Sequence, residues 1–225
     1  MNVESFLEKN KSKIGSILPE KFRNAKFTLL NLSKTNNDIS KIDFSKVKEF
    51  NDYVTKTVSN NNALFAVGKY NEDRVIYNSF KLFSGAERRT IHLGIDLFMP
   101  PNTDIYAPLD AEVHSFKDNN NPGDYGPTII LTHKINNVIF YTLYGHLSRE
   151  SLNGLFKGKK IKKGDLLCRI GTFPINGNWP PHLHFQIITD MKGLEGDYFG
   201  AASHSTREEY LKLCPNPNLI LNLKL

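Results

Sequence analysis

Cysteine is scarce in this chain: Cys168 and Cys214 are the only two among 225 residues. Two cannot build a disulfide framework, and their separation has no metal-type spacing, so both are expected to be ordinary buried thiols. Long apolar runs are missing as well. No segment approaches the ~20 apolar residues that a membrane span needs, so no membrane partner is expected. The opening MNVESFLEKNKSKIGSILPEKF lacks an apolar run of signal-peptide length, which gives a cytoplasmic expectation. Charge is not concentrated either. The net charge is +6, yet the lysines are scattered apart from KGKKIKK at 157–163, so no nucleic-acid partner is expected. Internal repeats and low-complexity tracts are absent, and residues 1–60 carry no catalytic signature.

With 40% hydrophobic and 23% charged residues, the chain has the composition of a soluble globular protein that buries one core and carries an appendage. Phe6, Ile14 and Leu18 give the first segment a helical rhythm that Pro19 is expected to stop. KFTLLNLS at 26–33 reads as a strand. A second helix is expected from an N-cap at Asp43 or Ser45, with Val47, Phe50 and Val54 on one face. SNNNA at 59–63 reads as a linker. Beyond it, short strand-prone runs alternate with Gly, Pro, Asn and Asp: ALFAVGKY, TDIYAPLDAEVHSF, GPTIILTHKI, NNVIFYTLYGHL, GDLLCRIG and HLHFQIITD. KINNV at 134–138 reads as the turn of an antiparallel hairpin. The expected organisation is a mixed helical extension over 1–60 and a mainly β domain over 61–225.

Polar chemistry concentrates in that β region. In NWPPHLHFQI, 178–187, His182 and His184 lie two apart, so in a strand both project from one side while Leu183 and Phe185 project from the other. Such a pair either walls a site or decorates a polar strand face. HLGIDL adds His92 and Asp96 at H-x3-D, and YGHLS puts His146 at the end of a strand. Two imidazoles and one carboxylate make a common ligand set for catalytic zinc, which His92, Asp96 and one member of the H-x-H pair would supply. Positions four apart in a straight strand are ~13 Å apart. The chain must therefore bend between His92 and Asp96, and Gly94 is placed to allow it.

HLGIDL, YAPLDAEV, YTLYGHLS, KKGDLLCRIG and PHLHFQI, in this order, resemble the successive motifs of the lysostaphin and LytM-type zinc metallopeptidases over roughly residues 62–190. The resemblance implies a compact antiparallel β core with a groove for an extended peptide. It implies zinc held by His92, Asp96 and His184, with His146 and His182 as catalytic histidines. It also implies endopeptidase action on glycine-rich or D-amino-acid-containing peptides of the kind found in bacterial cell walls. Gln186 stands where the family usually has glutamate, and NGNWPPH replaces a Gly- and Ser-rich approach. The stretch from 85 to about 221 is similar to a subgroup lying inside larger intracellular proteins, between a kinase-like module and an aminotransferase.

Several readings stay open. Either His146 or His182 could be the base, the other supporting the oxyanion. Tyr144 would share the strand face of His146 and reach substrate, or be a half-buried aromatic; Trp179 would wall the groove or cap the core. Arg88 and Arg89 would bind a substrate carboxylate or form a solvated turn. His114, His133 and His204 read as surface or strand-face histidines. Two other function classes compete with the zinc peptidase: a non-catalytic peptide- or glycan-binding module on the same fold, and a swinging-arm carrier. The carrier needs a lysine at a hairpin tip, which KINNV does not offer in the expected surroundings. The oligomeric state is not legible.

Overall fold

A computed structural model describes residues 2–44 and 46–225. Its N-terminal part holds α1 (Val3–Lys9), α2 (Glu20–Arg23), β1 (Phe27–Leu30) and α3 (Val47–Asn60). Eleven strands follow among the described residues: β2 (Phe65–Gly68), β3 (Arg89–His92), β4 (Ile95–Phe98), β5 (Asp104–Tyr106), β6 (Ala111–Asn119), β7 (Gly126–Ile135), β8 (Val138–Gly145), β9 (Lys160–Ile161), β10 (Leu166–Arg169), β11 (Leu183–Ile188) and β12 (Ala201–Ser203). Two short helices, α4 (Arg207–Leu213) and α5 (Asn218–Leu221), close the chain. The mainly β expectation is met.

Eight strands form one sheet in the order β1-β2-β4-β11-β8-β7-β6-β9. All neighbours in it are antiparallel except β1 and β2, which run parallel. The period-two alternation of strands then sorts side chains onto two faces. Phe65, Val67, Ile95, Leu97, Tyr144, Leu183, Phe185 and Ile187 join the largest apolar core, on one face. Asp96, His184 and Gln186 take the intervening positions on the other. That second face is covered too, by residues of the segment around α3 and by the chain near α4, so every residue of β11 is buried.

The helical expectations near the N-terminus need correction. The helix carrying Phe6 ends at Lys9, and Pro19 begins a helix instead of stopping one: it is the N-cap of α2, where its missing N–H costs no intrahelical bond. Lys46 stands at the N-cap of α3. The Glu49 carboxylate reaches back 3.1 Å to accept from the Asp43 N–H, and Ser45 lies outside the described residues. Phe50 and Val54 do face the core, whereas Val47 is half-buried. The helix runs on to Asn60, into the expected linker.

The β7–β8 hairpin turns through Asn136 and Asn137, with φ of 49° and 64°. Two successive positive φ values match the right-handed twist of the strands, and asparagine tolerates them better than most residues. The tip holds two asparagines and no lysine. His133 on β7 is fully buried, contrary to a surface reading, and stacks on Phe140 with ring centroids 4.7 Å apart. Its Nδ1–H donates to the Asp110 carbonyl at 3.1 Å, and its Nε2 accepts from the Thr142 hydroxyl at 2.9 Å.

Burial pulls the His133 pKa from 6.5 down to about 4. Between those values the unfolded chain binds a proton that the folded chain does not, so stability falls as pH falls through this window. At ~1.4 kcal/mol per pKa unit, His133 alone contributes roughly 3 kcal/mol to that slope. Urea unfolding midpoints should therefore decline from pH 7 to 4.5 in the wild type and decline less in His133→Gln. Parallel pH curves for the two proteins would show that His133 has no part in it.

Candidate metal centre

Between β3 and β4 the chain leaves the strand path at Leu93 and Gly94, and this break brings His92 and Asp96 together. His92 Nε2 lies 3.3 Å from Asp96 Oδ1. On the neighbouring strand His184 pairs in register with Asp96, and its Nδ1 lies 3.0 Å from Asp96 Oδ1 and 3.1 Å from His92 Nε2. Gly94 has a further role beyond the bend. A Cβ there would stand 2.6 Å from His184 Nε2, so glycine leaves the space that the imidazole fills.

The protons of these histidines are assigned by their outer partners. His92 Nδ1–H donates to the Lys69 carbonyl at 2.8 Å. The Gln186 amide nitrogen donates to the Phe199 carbonyl at 3.1 Å, which leaves its Oε1 to accept from His184 Nε2–H at 2.9 Å. Each imidazole thus carries its proton on the far nitrogen. His92 Nε2, His184 Nδ1 and Asp96 Oδ1 are then three lone-pair atoms 3.0–3.3 Å apart with no hydrogen between them. They repel one another unless a cation lies among them. Their separations are near the ~3.3 Å edge of a tetrahedron with ~2.0 Å arms, the geometry of zinc with nitrogen and oxygen ligands. The donor set fits that metal.

The second oxygen of Asp96 is held separately. Oδ2 accepts from Arg74 Nη1 at 2.5 Å, and Arg74 Nε also bonds Glu72 Oε2 at 3.0 Å. Burial works against the Asp96 charge, but His92 and Arg74 outweigh it and hold the carboxyl well below its usual range. Glu72 is fixed in turn by the Leu32 N–H, which reaches its Oε1 at 3.0 Å. Burial also holds His92 down to about 4, so it stays neutral at neutral pH.

His146 and His182 stand beside this triad, their ring centroids 4.1 Å apart. His146 follows the last residue of β8 in a left-handed conformation, φ 63°. Three bonds hold it there: its N–H to the Tyr125 carbonyl at 2.7 Å, its carbonyl to the Gly171 N–H at 2.8 Å, and its Nδ1–H to the Asn176 carbonyl at 2.8 Å. His182 Nδ1–H donates to the Pro180 carbonyl at 2.7 Å, and its ring stacks on Phe98. Both histidines keep an unprotonated Nε2. Burial lowers the pKa of His182 to about 4 and, with the neighbouring His182 and His184, holds His146 well below 6.5.

Residues 90–195 match Peptidase family M23. His92, Asp96, His146, His182 and His184 all lie inside the M23 match, while Glu72, Arg74 and Tyr77 lie before it. No curated protein matches the chain. Among solved structures, it is similar to a zinc-containing peptidase from Vibrio cholerae, at 27% identity over 44% of this chain and 28% of that one, with a TM-score of 0.35. It is also similar to the catalytic domain of the antimicrobial peptidase lysostaphin from Staphylococcus simulans, at 21% identity over 57% of this chain and 85% of that one, TM-score 0.39. A third likeness is Helicobacter pylori Csd3, at 26% identity over 56% of this chain and 32% of that one, TM-score 0.34. The chain thus spans about a third or less of the Vibrio and Helicobacter proteins.

Around these histidines the structure redistributes several expected roles. Tyr144 is not at the site: it pairs with Phe185, fully buried in the main core, and its hydroxyl meets that of Thr142 at 3.3 Å. The alternation that would put it with His146 fails because His146 leaves the strand after Gly145. Trp179 both caps the core beside Phe50 and lines a cavity of about 290 Å³ next to the triad. Arg88 is exposed, whereas Arg89 lines that cavity. His114 and His204 stay outside, and His204 faces Asp73 at 3.2 Å. Sequence reasoning missed Arg74, Glu72, Tyr77 and Tyr125. Gln186, noted only for its departure from glutamate, orients a ligand, and its spacing of two from His184 was the available signal.

Outer partners of metal-bound histidines typically change affinity 10- to 100-fold when removed. Gln186→Leu should weaken zinc binding by about that factor, read by competition with a chromophoric chelator, with the circular dichroism of the β core unchanged. Gly94→Ala should weaken it further by displacing the His184 ring. Wild-type affinity in both variants would refute this ligand arrangement.

Proposed function

We propose that the protein is a zinc-dependent metallopeptidase that hydrolyses a peptide bond of an extended peptide segment. The observation that carries this reading is the set of three proton-free ligand atoms facing two further histidines, each with a free Nε2. A binding module would need only the cavity; it would not need two neutral imidazoles poised beside a metal site. His92, Asp96 and His184 would hold the ion. When bound there, zinc supplies a Lewis acid that polarises a carbonyl and brings the pKa of water toward ~7.

The chain's own groups supply the rest. The lowered pKa values keep His146 and His182 neutral at neutral pH, which is the form that accepts a proton. One takes the proton of the attacking water at Nε2 and returns it to the leaving amine. Asn176 and Pro180, by accepting from the two Nδ1–H groups, hold both rings in that tautomer. Burial pushes the Tyr125 hydroxyl well above 10, so it remains protonated. Its oxygen lies 3.5 Å from His184 Nε2 and lines the cavity, where its hydrogen can be donated to an oxyanion. Arg74 does not touch substrate in this scheme: it anchors Asp96.

Protein purified without added metal should carry close to one zinc per chain by elemental analysis, and His184→Ala should lose it. His146→Ala and His182→Ala should retain zinc and melt as wild type while losing roughly a hundredfold or more in peptide hydrolysis. Undiminished zinc in His184→Ala would overturn the ligand set. Full-speed cleavage by either of the other variants would remove that histidine from the chemistry.

A further inference from the structure

The cavity beside the triad has a largely aromatic lining, including Tyr77, Phe83, Tyr125, Trp179 and Phe199. At about 290 Å³ it is at the small end of the ~300–1,000 Å³ typical of ligand pockets. Phe50 from α3 also lines it, packed on Phe98 and Trp179 with ring centroids 5.9 and 6.4 Å away. Such a space accommodates a short stretch of peptide.

Two cationic side chains line it among the described residues, Arg74 and Arg89. Arg74 is neutralised by Glu72 and Asp96. Arg89 is not. Its guanidinium lies over the rings of Phe83 and Phe199, 5.6 and 5.8 Å from their centroids, and donates to the Leu82 carbonyl. Among the described residues no carboxylate comes within ion-pair distance of it. Asp124 and Asp197 border the same cavity: Asp124 is occupied by the Tyr125 N–H at 2.8 Å and by Asn121 at 3.2 Å, while Asp197 feels the Arg89 charge without an ion pair to it, and burial raises its pKa toward the neutral form. The aromatic clamp connects Arg89 to the metal centre by ring contacts: Phe83 to Tyr77 at 4.2 Å, and Tyr77 to His92 at 6.5 Å. A guanidinium beside two aromatic rings, with one nitrogen on a backbone carbonyl and no ion pair to an acid among the described residues, can receive a carboxylate.

We propose that Arg89 binds the terminal carboxylate of the substrate, so that the protein acts on peptide ends, with the free carboxyl group one or two residues from the bond facing the metal centre. This rests on the peptidase reading, and it is a statement about substrate class. A chain continuing past this point would bring no carboxylate to Arg89.

The test compares N-acetyl-Gly-Gly-Phe with its C-terminal carboxamide, two probes alike except for the charge. Calorimetric binding to the protein as purified should favour the free acid at least tenfold. Arg89→Gln should abolish that preference while binding the amide as before, and Arg89→Lys, which keeps the charge without the fork, should retain part of it. Thermal melting of both variants confirms that they are folded. Equal binding of acid and amide by the wild type, no binding of either, or an unchanged preference in Arg89→Gln would overturn the proposal. If the acid is preferred but never cleaved, the peptidase reading fails while the assignment of Arg89 survives.

Discussion

Asp96 divides its carboxylate between two partners, and the site depends on that division. Oδ2 is taken by Arg74 and Oδ1 is left to His92 and His184. A carboxylate alone in this buried position would be raised toward neutrality, and a protonated one would offer a hydrogen where a lone pair is needed. Arg74 prevents this. Since an unpaired guanidinium in the interior would be as costly as an unpaired carboxylate, Glu72 completes the group and is itself tied to the backbone of Leu32. The segment before residue 90 therefore sets the charge state of Asp96, inside the M23 match.

Sheet register does the remaining positioning. His184 pairs with Asp96 on one side and with Gly145 on the other. The small residues at 94 and 145 let the imidazole and the Tyr125 ring settle on this face; a Cβ at Gly145 would stand 2.6 Å from Tyr125 Cδ1. Moving β11 by one residue would carry His184 to the apolar face and bring Phe185 to the metal site. The apolar core formed by Phe185, Leu183 and Tyr144 therefore fixes the site as firmly as the polar contacts do, because it resists that slip.

Much of this was legible from residue spacing. The same-face geometry of His182 and His184 is a property of any strand, and the need for a bend between His92 and Asp96 follows from the length of a residue. The hairpin at Asn136 was legible because two asparagines are among the few residues that accept its backbone angles. Contacts distant in sequence were not legible. Arg74 meets Asp96 across 22 positions and His92 meets the Lys69 carbonyl across 23, and no local period encodes either. Tyr144 was misplaced for a different reason: alternation holds only while the strand continues, and the left-handed residue at 146 ends it.

Charge connects the two ends of the cavity. With neutral histidines, Asp96, Glu72 and Arg74 leave the metal centre with one net negative charge, which favours a divalent cation over an empty site. Once the cation is present the balance reverses to positive, and Arg89 adds a second, separate positive charge at the aromatic wall. The proposed substrate, a peptide end, would bring complementary features to both places: a carbonyl that gains negative charge during hydrolysis, and a carboxylate that is already negative. Low dielectric strengthens the first attraction, because His92, Asp96 and His184 are buried. The rings of Phe83 and Phe199 therefore do more than fill space, since their faces favour the positive charge that Arg89 places at the cavity.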